Sequence, residues 1–148
     1  MNRTLLRIGL VYEAIAFALV GFWATFAPRS FYGDFPGGGR RWVAVDGPYN
    51  EHLVRDVGEL SLALFVVLVA AAITVSIPLV RAALGAVIVN GVLHVVYHAR
   101  HLDPFSTGDG VAVIASLALG PIIAVALFAL TVRQSPTAAP SAEHGVRG

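Results

Sequence analysis

Apolar and polar positions fall in long blocks along this chain, without the residue-by-residue alternation of a half-buried strand. Four apolar runs, at about 5–27, 49–77, 79–101 and 110–132, each approach the roughly 20 residues that a helix needs to cross a bilayer. Local breaks separate them. Pro28 closes the first run, and Ser76-Ile77-Pro78 marks a tight turn between the second and third. Without that turn the apolar stretch over 60–99 would run about twice the length of one crossing. Pro104 and Gly108 mark a short loop before the fourth run. The pattern predicts an all-α fold, a four-transmembrane-helix bundle with short loops and one longer loop at 28–48.

A secretory signal is the rival reading of the first run. Glu13 interrupts its apolar region, the run is long, and Pro28 follows the best small-residue site at Ala27. A retained first helix is therefore expected, with Glu13 on the same face as Phe17 and Val20. The long loop interleaves Phe31, Tyr32, Phe35 and Trp42 with Arg29, Arg40 and Arg41 around the hinge Pro36-Gly37-Gly38-Gly39. Interfacial anchoring and a lid over the polar face that follows both fit this mixture. Asp46 is the expected N-cap of the second helix, with Pro48 in its first turn. On the fourth helix, Ala112, Ser116, Gly120 and Ala124 form an i+4 row that reads as a packing seam. Residues 134–148 carry no apolar period and are expected to be a disordered tail.

Composition confirms the class. The 148 residues are 57% hydrophobic and 13% charged, and mean hydropathy is +0.76. A soluble domain carries about a quarter charged residues. A formal net charge of +1 argues against a nucleic-acid partner. The absence of cysteine removes thiol nucleophiles, disulfide exchange and thiolate metal sites. With both termini cytoplasmic, Arg3, Arg7, Arg81, Arg133 and Arg147 lie inside against Arg29, Arg40, Arg41 and Arg100 outside, a narrow bias toward a multi-pass protein of the cell membrane with cytoplasmic termini.

The candidate chemistry lies on two helix faces. In the second helix His52, Asp56 and Glu59 recur at i, i+4 and i+7, with Arg55 beside them. In the third, Asn90, His94, Tyr97, His98 and His101 share a side. Glu13, Glu59, Asn90 and His94 fall near mid-membrane, where an ionisable group is expensive and marks a functional site by default. Counting residues from the turn near Pro78 brings Glu59 level with His94 and Asp56 level with His98 to within about one helical turn. The two faces are expected to meet.

Three readings fit such a meeting. His94 and His98, four residues apart, could hold a metal ion with Glu59 or Asp56 completing the shell, and His52 with His94 could ligate haem. A structural network could join Glu59, Asn90 and His94, with Arg55–Asp56 as an ion pair. A small-ligand or proton pathway is the third. A small-ligand-binding or accessory subunit is the leading expectation, with a metal- or haem-dependent membrane oxidoreductase and a proton-coupled transporter as alternatives. The expected partners are the bilayer and a membrane protein, another copy of the chain included.

The four short helices, the Asn50-x4-Arg55-x2-Gly58 pattern and the loop His101-Leu102-Asp103-Pro104-Phe105 resemble the DoxX-like small integral membrane proteins, over about residues 5–132. That resemblance implies the fold and, as for some members, association with respiratory or redox membrane assemblies. It assigns no role to the histidines at 94–101.

Overall fold

The computed structural model describes residues 2–132, which form five helices and no strand. In chain order these are α1 (Arg3–Phe26), α2 (Pro28–Asp34), α3 (Glu51–Thr74), α4 (Ile77–Ala99) and α5 (Thr107–Val132). All but α2 are long and apolar enough to cross a membrane, which makes the fold a four-span helical bundle of the kind integral membrane proteins use. The expected tail at 134–148 lies outside the described residues. Successive spans alternate in direction. The α3–α4 turn and the outer ends of α1 and α5 therefore share one face, and the longer loop lies on the other.

The helix α2 corrects the expectation of an unstructured loop at 28–48. Pro28 occupies its first turn, where a missing N–H costs nothing, and Phe31 one turn on is buried with it. The cap of α3 is a second correction. The Asn50 side chain, not Asp46, accepts from the Leu53 N–H at 3.2 Å. Asn2 caps α1 in the same way at 3.1 Å. Ser106 Oγ accepts from the Asp109 N–H at 3.1 Å at the start of α5. Val75 ends α3 in the left-handed region, at φ 47°, and is buried. Such a conformation is unfavourable for a β-branched residue. Its burial against the core holds it there.

Consecutive spans pair: α1 packs on α3, and α4 packs on α5. Small residues set the closeness. A Cβ on Gly58 would lie 2.6 Å from the Thr25 backbone nitrogen, and one on Gly21 would lie 2.8 Å from Leu62 Cδ2. In the other pair, a Cβ on Gly91 would stand 2.8 Å from Pro121 Cγ. The contact between α3 and α4 is much slighter, although they share the tightest turn. Leu10, Leu68, Val80, Leu84 and Leu127 fill the core on the turn side. Ile8, Ile73, Leu93 and Val111 point outward, as side chains that meet lipid must.

Arginines from neighbouring helices satisfy carbonyls at helix C-termini. Arg7 Nε donates to the Ala72 carbonyl at 3.0 Å and Arg3 to that of Thr74 at 3.2 Å, both at the end of α3. Arg81 reaches Thr131 on α5, at 2.6 Å to its carbonyl. On the opposite face Arg55 of α3 donates to the Thr25 carbonyl of α1. Each arginine places a cation where the helix dipole is negative and unpaired carbonyls remain.

Candidate functional site

On the loop side of the core the two helix pairs diverge around a cavity of about 330 Å³. All four spanning helices line it. Glu13 and Phe17 come from α1, Ser61 and Leu64 from α3, Asn90 and His94 from α4, and Ser116 and Gly120 from α5. The walls are mainly apolar, with a few polar groups converging, which is the usual make-up of a small-molecule site.

Glu13 is the decisive residue. It is 1% exposed, close to the middle of α1, and its Oε1 has no hydrogen-bond partner among the described residues. Its Oε2 lies 3.2 Å from where a Cβ on Gly120 would stand. Glycine at that position leaves room for the carboxyl. The row of small residues on α5 is thus only partly the seam expected of it. Ala124 packs in the core, whereas Ser116 and Gly120 face the cavity.

His94 and His98 stack one turn apart on α4, with their Nε2 atoms 3.1 Å apart. His98 is buried, and its Nδ1 lies 3.8 Å from Asp46 Oδ2, too long for a hydrogen bond but within ion-pair range. One of the two Nε2 atoms donates to the other, the direction following the tautomers of the two rings. The pair connects the loop to the rim of the cavity.

Further contacts fix the loop between α2 and α3 across to the second helix pair. Trp42 Nε1–H donates to Asp109 Oδ1 at 3.0 Å, and Arg40 Nε sits 3.1 Å from the same oxygen. Aromatic residues of α1, α2 and this loop pack on one another, Trp23 on Phe31 at 5.9 Å and Phe31 on Phe35 at 4.8 Å between ring centroids. Arg29 lies 5.1 Å from the Tyr49 ring centroid. The Tyr49 phenol donates to Glu51 Oε2 at 3.2 Å, and partial loss of solvation, with that carboxylate beside it, raises its pKa above the ordinary tyrosine value. The segment is packed and tied to α4 and α5.

The structure does not bring the two polar faces together as expected. Glu59 is exposed, does not line the cavity, and has no hydrogen bond or ion pair among the described residues. It therefore does not meet His94. His52, with 87% of its side chain exposed, pairs with Asp56 at 3.3 Å. Arg55 pairs with Glu51 at 3.0 Å, not with Asp56. These corrections share one cause. Gly58 and Ser61 turn toward α1 and the bundle interior, and at about 100° per residue Glu59 is carried to the outside. Tyr97 is exposed on α4 and stacks on His101 at 4.2 Å.

The donor set for a metal ion is correspondingly incomplete. Among the described residues no three His, Asp or Glu side chains converge as ligands would, and Glu59 is not available to His94 and His98. The haem pair fails on orientation, since His52 points away from the bundle while His94 lines its cavity. The residues present do not fit either group.

No family model, curated protein or solved structure matches this chain.

Proposed function

We propose that this protein holds a small lipophilic molecule in the cavity between its two helix pairs. One observation carries the reading: a buried carboxyl group at mid-membrane depth, beside a cavity with mainly apolar walls, with an oxygen that no described protein group satisfies. Leaving such a group unpaired is unfavourable, and structural packing alone is served by uncharged residues. Organic extraction of the detergent-purified chain and mass spectrometry of the extract test the proposal. A molecule carried at near one per chain by the wild type and lost from the cavity-filling variant Gly120→Leu supports it. An empty wild type, or equal carriage by both proteins, overturns it.

The outward stripe His52, Asp56 and Glu59 supports an accessory role in a membrane assembly. An acidic side chain turned toward lipid is unfavourable, and a partner helix or a second copy would cover it. Kinship with the DoxX-like proteins and cytoplasmic termini belong to the same proposal. The narrow excess of Arg3, Arg7, Arg81, Arg133 and Arg147 over Arg29, Arg40, Arg41 and Arg100 in the sequence is its basis for orientation.

A further inference from the structure

Around Glu13 the two serine hydroxyls of the cavity are already committed as donors, and the lining groups that keep protons of their own, Tyr12, Asn90 and His94, make no hydrogen bond to its Oε1. Ser61 Oγ donates its proton to the Val57 carbonyl at 2.7 Å, and Ser116 Oγ donates to the Val113 carbonyl at 2.9 Å. Both hydroxyls are thereby left with lone pairs only. Glu13 adds the unsatisfied Oε1, fully buried. No lysine or arginine is among the residues lining the cavity, so its walls supply no cation to the Glu13 carboxyl. Phe17, Leu64, Val87, Leu117 and Pro121 make much of the remaining wall apolar. The complement of such a site is a compact apolar body bearing one positively charged donor.

We propose that the cavity takes a lipophilic ammonium ion, whose N–H groups are donated to Glu13 and whose apolar body lies against the Phe17, Leu64 and Pro121 walls. The assignment rests on the reading of the cavity as a ligand site and adds its chemical class. The cavity, about 330 Å³, sets the size limit. It suits a cage or a single ring system with a short substituent.

Three probes with one apolar cage and different head groups separate the terms: 1-aminoadamantane, 1-adamantanol and 1-adamantanecarboxylate. Equilibrium dialysis against the full chain in detergent, with empty micelles subtracted, measures each. The amine is expected to bind saturably, about tenfold or more tighter than the alcohol, with the carboxylate weakest. Glu13→Gln, close in shape, should remove the preference for the amine and leave binding of the alcohol unchanged. The order of the three probes on the wild type is itself decisive should that variant not fold. Equal binding of amine and alcohol, or an unaltered amine preference in Glu13→Gln, overturns the ammonium assignment and leaves the ligand cavity standing. Saturable uptake of none of the three overturns both.

Discussion

Glu13 of α1 and Gly120 of α5 face each other across the cavity so closely that a Cβ on Gly120 would stand 3.2 Å from Glu13 Oε2. The glycine preserves the space into which the carboxyl projects. Gly120→Leu is therefore expected to fill the cavity and displace Glu13, lowering stability by about 1–3 kcal/mol through overpacking. Val125→Leu, at an outward-facing position on the same helix, should be neutral. Thermal unfolding of both variants in detergent reads the difference. Equal losses would show that the space beside Glu13 is not a constraint.

Gly58 makes a harder test of the α1–α3 contact. The atoms a Cβ would strike include the Thr25 nitrogen and the Ala24 carbonyl carbon, both backbone and unable to move aside. Gly58→Ala should destabilise by about 1–3 kcal/mol. Gly85→Ala, where nothing lies within 4 Å, should stabilise α4 by about 1 kcal/mol through helix propensity. Stability changes of the same sign at the two sites would overturn the assigned seam.

Arg55 also distinguishes internal from surface electrostatics. Its replacement by Met removes the donor to the Thr25 carbonyl and should reduce stability by about 1.5–3 kcal/mol, the range for a hydrogen bond to a charged group. Glu51→Gln removes only an exposed pairing and should leave the melting temperature unchanged. A larger loss from the Glu51 variant would mean that the surface pair, not the helix cap, is the function of Arg55.

The loop between α2 and α3 is held at Asp109. Trp42→Leu deletes the indole donor, so trypsin should cut after Arg40 or Arg41 several-fold faster than in the wild type. Unchanged cleavage kinetics would show that the tie between Trp42 and Asp109 does not restrain the loop.

Orientation has its own measurement. Reporter fusions within Gly37–Arg40 and after Val132 should register on opposite sides of the membrane, with the second cytoplasmic. Same-side results would remove the four-span arrangement, and opposite sides with the second outside would reverse the assigned orientation alone.

The spans were readable from sequence because apolar runs of bilayer length, ended by Pro28 and by the turn near Pro78, have few other solutions. Glu13 was legible for the same reason, as a lone charge inside such a run. Helix rotation was harder to read. Periodicity shows that His52, Asp56 and Glu59 share a face but not which way that face turns. The small residues Gly58 and Ser61 decide it, and their own spacing was the available signal. Pairing was equally hidden. The short turn near Pro78 suggests an α3–α4 hairpin, yet closeness in the bundle follows Gly21, Gly58 and Gly91. Helix α2 escaped notice because the proline and glycines around it read as loop, although Pro28 and Phe31 are spaced as one buried helical turn.

The pairing of consecutive spans has a consequence for biosynthesis. Every contact that joins α1 to α3, including the Gly58 approach and the Arg55 cap, is made by residues that leave the ribosome before α4 does. The first half can assemble as a finished hairpin in the membrane while the second is still being translated. The second hairpin then docks on a preformed surface through the turn-side core. The cavity is the space left where these two independently made halves do not close on each other.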